Sequence, residues 1–174
     1  TGPHIGSWLA AVAELEALLS LSTIAFERPQ WTFPELLDQQ QPLFEAEALR
    51  HPLLAASKCV ANDVAIGGDV RLLIVSGSNM SGKSTLLRAI GLNTVLAWAG
   101  EHVAAQRLRV SPLQTAASMR NTDSLQDGRS RFFTEIVRLR QILDLTACDR
   151  PVLFLLDELL SGTNSHDSRI GASG

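Results

Sequence analysis

Hydrophobic and polar positions follow a helical period near the start of the chain. In residues 7–25, apolar residues recur at three- and four-residue spacings, which predicts a helix with one apolar face. That face holds Trp8, Val12, Leu15, Leu18, Leu19 and Ser22. We expect the helix to end at Arg28, because the residue before a proline is disfavoured in the helical conformation. Residues 29–42 hold three prolines and a glutamine run, which predicts a connector with a short helix at 34–40.

From residue 51 onward the pattern alternates between strands and helices. Continuous apolar runs at 69–76 and 152–156 predict strands of a parallel sheet that is buried on both faces. Helical patterns cover residues 83–99 and 130–147, and residues 103–120 are ambiguous. In that ambiguous stretch, strand-like patterns lie around Val103 and at 108–110, and Gly100 ends the helix before it. The order predicts an α/β fold with a mostly parallel central sheet flanked by helices.

Composition narrows the class of protein. The 174 residues are 45% hydrophobic and 19% charged, which is typical of one soluble globular domain, and the net charge of −3 argues against a wholly basic nucleic-acid-binding module. Cys59 and Cys148 form no CxxC pair, so no zinc site is indicated and two reduced thiols in a cytoplasmic protein are expected. No signal peptide and no membrane segment are expected in this chain.

Residues 77–85 carry the most specific motif, because they match the pattern G-x-x-x-x-G-K-[ST] after an apolar run and before a helical pattern. The residues expected to surround a nucleotide are Gly77, Ser78, Asn79, Met80, Ser81, Gly82, Lys83, Ser84 and Thr85. Glycines let backbone N–H groups turn toward phosphate oxygens, and the helix N-terminus adds its positive dipole. Lys83 is expected to reach the β- and γ-phosphates, the Ser84 hydroxyl to bind Mg²⁺, and Thr85 to lie near the α-phosphate. A chance match is expected in about one chain in two hundred of this length.

Two carboxylates follow the apolar run at 152–156. In phosphate-loop enzymes an Asp at this place holds Mg²⁺, which assigns Asp157 to the metal. Glu158 directly after it is suited to polarise the attacking water as general base. The alternative is a surface pair that caps the next turn. Nucleotide kinases usually lack the adjacent Glu, whereas ABC-type ATPases use it.

ABC-type ATPases also carry a small-residue loop ahead of a helix, from which a Ser reaches the γ-phosphate bound in the opposite subunit. Residues 125–133 fit this description, and Ser130 begins the long helical pattern. The alternative is an ordinary Ser N-cap after a glycine turn.

These motifs together resemble the ATPase domain of the MutS family of DNA mismatch repair proteins. The resemblance runs from about Leu49 to the end of the chain and is carried by residues 50–53, 60–63, 77–85, 100–106, 123–135 and 156–165. Asn79 and Met80 inside the loop, and Gly162 and Thr163 after the acidic pair, are particularly family-like.

The resemblance implies a P-loop NTPase of the ABC ATPase class that forms a homodimer with composite ATP sites. By matched position, Lys83, Glu158 and Ser130 would be catalytic, with Ser130 acting in trans, while Ser84 and Asp157 would hold Mg²⁺. Residues 1–40 would be a helical lead-in from the family's core or lever region, which connects to DNA-binding parts outside this chain. Residues 41–174 would be the ATPase domain, truncated at its C-terminus.

Several positions depart from the family pattern. Ser78 stands where the family usually has Pro, and Cys59 stands where many members carry an aromatic residue that stacks on adenine. Leu-Leu-Ser at 159–161 replaces Ile-Gly-Arg, and Arg131 replaces Thr. The family's switch His is expected beyond residue 174, since His166 lies too close to the acidic pair. These departures indicate a divergent branch.

The sequence therefore predicts ATP binding and hydrolysis in DNA repair or maintenance, with ATP-dependent dimerisation coupled to DNA binding elsewhere. Two alternatives are a non-catalytic ATP-gated dimerisation module and another ABC-class ATPase such as a transporter. A cluster of arginines offers a phosphate-binding surface, although a solvated face paired with Asp123, Asp127 and Glu135 is favoured. The cluster consists of Arg107, Arg109, Arg120, Arg129, Arg131, Arg138 and Arg140.

Overall fold

The computed structural model describes residues 4–39, 41–119 and 131–158, with only the backbone at 131 and 132. The helices of this part are α1 (Ile5–Glu27), α2 (Lys83–Trp98) and α3 (Arg131–Leu145). The strands are β1 (Glu35–Leu36), β2 (Leu43–Leu49), β3 (Asn62–Gly67), β4 (Arg107–Val110), β5 (Gln114–Ser118) and β6 (Val152–Leu156). The helices predicted at 7–25, 83–99 and 130–147, and the strands at 108–110 and 152–156, are confirmed.

The strands form two sheets. A four-stranded sheet has the order β1-β4-β2-β3, in which β2 runs antiparallel to β3 and β4 while β1 runs parallel to β4. A separate two-stranded sheet pairs β5 with β6 in parallel. The expected α/β fold of the ABC ATPase class, with a mostly parallel central sheet, is therefore wrong for the described residues. The larger sheet is mixed because β2 runs antiparallel to both of its neighbours while β1 runs parallel to β4.

The apolar run at 69–76 is not a strand, which corrects a second prediction. Val70 makes only an isolated bridge to Gly67, and residues 71–77 have no ladder partner among the described residues. As a result Leu72 and Ile74 are 75% and 79% exposed. A cavity of about 560 Å³ separates part of this segment from β6. A strand needs a neighbouring edge for its backbone hydrogen bonds, and an apolar composition alone does not supply one.

No helix forms in the described part of the stretch 34–40, residues 34–39, where a short helix was expected, and β1 occupies part of it. Glu35 and Leu36 pair in register with Arg109 and Val110 of β4. Leu37 continues this edge, because its N–H donates to the carbonyl oxygen of Val110 at 2.9 Å. Tertiary pairing therefore decides the conformation of this proline-containing connector.

One hydrophobic core connects α2 with both sheets. Its most deeply buried members include Phe44, Leu49, Ile90, Leu108, Val110 and Leu155. Gly91 lets α2 approach β6 closely, because a Cβ at this position would lie 2.8 Å from a terminal methyl carbon of Leu155. The helix that follows the 77–82 loop is thereby held against the strand that precedes Asp157.

Helix α1 does not bury the apolar face that its sequence predicts. None of its residues is buried, and Trp8, Leu15 and Leu18 are more than half exposed. Judged by length and composition alone, α1 could cross a membrane, and among the described residues it is the one helix that meets this criterion. Core helices of soluble proteins and signal sequences meet the same criterion, so α1 is weak evidence for a membrane.

Candidate functional site

The loop that precedes α2 depends on unusual backbone conformations. Gly82 has φ +89° and directly precedes the helix, in the left-handed region that favours glycine. Met80 also lies in this region, with φ +66°. At Gly77 the space is tight instead, since a Cβ there would lie 2.8 Å from the Ser81 hydroxyl oxygen and the Ser81 side chain would have to move. The loop therefore turns tightly between Gly77 and Gly82.

Lys83 closes this loop from the inside. Its ammonium donates to the carbonyl oxygens of Gly77 and Ser78, both at 2.8 Å. Both acceptors are neutral, so the positive charge of the ammonium is not balanced by a carboxylate in either of these bonds. A phosphate oxygen would be a stronger partner for the same ammonium, because both the donor and the acceptor would then be charged.

The N-terminus of α2 is open to an anion. No side chain caps it, and its first turn contains no acidic residue. The first N–H groups of a helix have no partner within the helix and carry partial positive charge. Ser84 and Thr85 follow Lys83 in this turn and are half-buried, while the loop residues Asn79 and Ser81 are exposed.

Asp157 and Glu158 lie directly after β6. The Asp157 N–H donates to the carbonyl oxygen of Ser118 at 2.9 Å, which continues the β5–β6 pairing by one residue. Asp157 is half-buried, and Glu158 is exposed with φ +51°. Three non-glycine residues with positive φ occur in the described chain, and two of them, Met80 and Glu158, belong to the predicted site. Such backbone conformations are costly and concentrate at functional sites.

The structure thus joins some of the predicted residues and leaves others apart. Gly77, Ser78 and Lys83 form one hydrogen-bonded cradle. No hydrogen bond joins Asp157 to that cradle in the described residues, and the packing of α2 on β6 is what relates the two. No cluster of three or more His, Cys, Asp or Glu side chains that suits a metal occurs in the described part. Other predictions lie outside the described residues: Ser130, residues 159–161, His166, Arg120, Arg129, Asp123 and Asp127.

Position 59, where the sequence departs from the usual aromatic residue, faces the interior. Cys59 is 8% exposed, and its sulfur accepts a hydrogen bond from the His51 N–H at 3.2 Å. The neighbouring Val60 is 79% exposed. Burial lowers the pKa of His51, and the nearby charge of Arg88 lowers it further. The Cys59 thiol is therefore buried and hydrogen-bonded, whereas the side chain of the neighbouring Val60 faces solvent.

The arginine cluster is partly neutralised, though by other acids than expected. Arg109 donates to Glu45 at 2.8 Å, an interaction that raises its pKa, and also contacts Glu35. Arg107 contacts Glu35 and Glu47. These pairs lie across neighbouring strands β1, β4 and β2, so two members of the cluster belong to an ion-pair ladder on a sheet.

The sequence patterns did not identify Asn93, which connects α2 to the backbone at Arg50 and Ala104. It is fully buried, and its amide nitrogen donates to the carbonyl oxygens of Arg50 and Ala89 at 3.0 and 2.8 Å. Its side-chain oxygen accepts from the Ala104 N–H at 2.7 Å. A lone Asn among apolar helix positions is the signal that could have identified it, because buried amides need hydrogen-bond partners.

Comparison with known proteins places the chain in a family. A family model described as MutS domain V matches residues 73–172, which include the loop, Lys83, Asp157 and Glu158. The chain is 33% identical over 171 residues to the probable DNA mismatch repair protein Msh6 of Drosophila melanogaster. The match covers 94% of this chain and 14% of that relative. The chain belongs to the MutS family.

Proposed function

We propose that this domain binds ATP with Mg²⁺ at the 77–85 loop and hydrolyses it. The observation that carries the proposal is the cradle itself. The Lys83 ammonium rests on two neutral carbonyls beside an uncapped helix N-terminus with no acidic residue in its first turn. A triphosphate would supply the negative charge that this arrangement lacks.

The donor set also fits Mg²⁺. The Ser84 hydroxyl and the Asp157 carboxylate are oxygen ligands, and Mg²⁺ usually takes one or two such ligands together with substrate phosphates and water. When bound, the ion would neutralise charge that develops on the phosphates. Glu158 is exposed directly after β6, and its carboxylate would orient the attacking water as general base.

Within the whole protein, we propose that this ATPase cycle serves DNA mismatch repair. The support is family membership and the similarity to a relative that bears that name. A homodimer with composite ATP sites, and DNA contacts made outside this chain, complete the proposal. The rival is a non-catalytic module in which ATP only gates dimerisation.

Nucleotide binding is tested by titrating a fluorescent ATP analogue against Lys83→Ala. Loss of a charge-assisted bond costs about 1.5–3 kcal/mol, so we expect affinity to fall about tenfold or more. Arg88→Ala is the matched control, because it removes an exposed cation from the next turn of α2 and should change affinity less than twofold. Equal affinity of Lys83→Ala and the parent chain would refute binding at this loop.

Hydrolysis is tested separately with Glu158→Gln, which keeps the shape of the side chain and removes its basicity. We expect nucleotide affinity to persist while the steady-state release of phosphate falls at least a hundredfold, a loss within the range for general-base removal. If the full-length protein binds ATP but shows no turnover, the non-catalytic module is correct.

A further inference from the structure

A second concave site lies between the connector that follows α1 and the loop that follows β2. It is a cavity of about 270 Å³. No residue of the 77–85 loop lines it, and neither Asp157 nor Glu158 does. The cavity is therefore distinct from the proposed nucleotide site. Its lining includes Arg28, Trp31, Arg50, His51, Ala104 and Ala105.

The charged groups at this cavity are basic. Arg28 and Arg50 belong to its lining, and none of the described lining residues is acidic. The Arg50 guanidinium donates to the carbonyl oxygen of Cys59 at 2.7 Å, which is a neutral acceptor. Neither Arg28 nor Arg50 forms an ion pair with a described residue, whereas Arg107 and Arg109 in nearby β4 are paired with glutamates. The fold thus neutralises the arginines of β4 and leaves the two at the cavity with uncompensated charge.

His51, the third basic residue of the lining, indicates the sign of the electrostatic potential. Burial lowers its pKa, and the nearby charge of Arg88 on α2 lowers it further. The ring is therefore neutral at pH 7. Its Nδ1 accepts from the Leu53 N–H at 3.2 Å, so the ring proton lies on Nε2, which is a further hydrogen-bond donor. Arg88 also lacks an ion-pair partner among the described residues, and these surroundings favour a bound anion over a bound cation.

The walls of the cavity are held together without a ligand. The Arg50 N–H donates to the carbonyl oxygen of Ala104 at 2.7 Å, and the Asn93 side chain bridges the same two residues from α2. On the connector side, the Trp31 N–H donates to the carbonyl oxygen of Arg28 at 2.9 Å. A site that is already formed loses little conformational freedom when a ligand binds.

We propose that this cavity binds a small oxyanion, either a carboxylate or a phosphate, beside Arg28, Arg50 and Trp31. Guanidinium groups bind such oxygens through paired N–H bonds, and the uncompensated charge supplies the attraction. The volume lies just below the range of about 300–1,000 Å³ that is usual for drug-sized ligands, so the ligand is compact. The half-buried Trp31 adds an aromatic group to the lining, so benzoate should bind more tightly than acetate.

The test follows the indole N–H signals of the three tryptophans in the ¹⁵N-labelled full chain. Inorganic phosphate and benzoate are titrated separately, in a Lys83→Ala background that suppresses phosphate binding at the 77–85 loop. The Trp31 signal should shift saturably, with a dissociation constant on the order of a millimolar. Trp8 and Trp98 do not line the cavity, and their signals should stay in place. The probe that saturates at the lower concentration identifies the preferred oxyanion.

Variants of the cavity arginines test the recognition itself. Arg28→Gln should raise the dissociation constant about tenfold, the loss expected for one charge-assisted hydrogen bond. Arg28 is exposed, so this variant should remain folded. Arg28→Lys keeps the charge and loses the paired N–H geometry, so its affinity should be intermediate. Arg71→Gln is the matched control, because Arg71 is exposed and lies outside this cavity, and it should leave the affinity within twofold of the parent.

The inference does not depend on the proposed function. With Lys83 intact, saturating ATP should leave the affinity for benzoate within twofold. Displacement of benzoate by ATP would show that the cavity is part of the nucleotide site and would overturn the inference. The absence of a saturable Trp31 shift with either probe, equal shifts of all three indole signals, or an affinity unchanged by both Arg28→Gln and Arg50→Gln would overturn it as well.

Discussion

The sharpest stability prediction concerns Asn93, whose side chain joins α2 to two other segments of the chain. It donates to the carbonyl oxygens of Arg50 and Ala89 and accepts from the Ala104 N–H. Asn93→Ala removes all three bonds. The adjacent Thr94→Ala is a matched control, because Thr94 is equally buried but its hydroxyl bonds only to Ile90 within the same helix.

The expected magnitude follows from which groups lose their partners. In Asn93→Ala the buried Ala104 N–H and the Arg50 carbonyl are both left unsatisfied, at about 1–3 kcal/mol each. The carbonyls of Ala89 and Ile90 keep their helical hydrogen bonds in the respective variants, so neither is orphaned. Asn and Thr have similar helix propensities, and the gain on substitution by Ala cancels between the variants. We therefore expect Asn93→Ala to cost about 2–6 kcal/mol more than Thr94→Ala.

Urea unfolding followed by circular dichroism measures this difference directly. The two variants should share the slope of free energy against urea concentration, and the midpoint of Asn93→Ala should be clearly lower. Equal midpoints would show that the amide bridge between α2 and its neighbours contributes nothing beyond an ordinary side-chain bond in a helix, and the reasoning would be refuted.

Two further predictions concern pH and the loop. The pKa of His51 is lower in the fold than its ordinary 6.5, so the unfolded chain takes up its proton first and stability should fall as pH drops below about 6.5. His51→Asn keeps an acceptor for the Leu53 N–H but cannot be protonated. Its free energy of unfolding, measured with urea between pH 7 and 5, should depend less on pH than that of the parent chain. An unchanged pH dependence would contradict the assignment to His51. Gly82→Ala should cost about 1 kcal/mol because of its positive φ, whereas Gly6→Ala inside α1 should gain about 0.5–1 kcal/mol, and thermal melts giving both the same sign would contradict this backbone argument.

Local patterns were sufficient to predict the elements that hold the candidate site. The helix at 83–98 follows from a glycine at each end and a helical period between them, and β6 follows from an apolar run that ends at Asp157. These signals lie within a few residues of each other in the chain, so no tertiary information is needed to read them. The position of Lys83 in a glycine loop before a helix was predictable for the same reason.

Pairing between distant segments was not predictable in this way. β2 contains Glu45 and Glu47 at alternate positions, a pattern that suits a surface as well as a strand. Its strand character depends on β4, where Arg107 and Arg109, sixty residues or more away, lie opposite these two glutamates in register. Direction cannot be read from such a pattern either, and this is why a mostly parallel sheet was expected where β2 has two antiparallel neighbours.

The segment at 69–76 and Met80 both show that residue type alone does not fix the local conformation. Leu72 and Ile74 have the composition of a buried strand, yet they are exposed because no strand lies beside them in the described residues. Met80 carries a Cβ, which disfavours positive φ. The loop nevertheless adopts positive φ at this residue, because the turn brings Gly77 and Lys83 together. In both cases the intrinsic conformational preference of the residue is overridden by the geometry of the neighbouring backbone. A residue that keeps a costly conformation while fully exposed is therefore informative, since the fold alone gives no reason to retain its side chain.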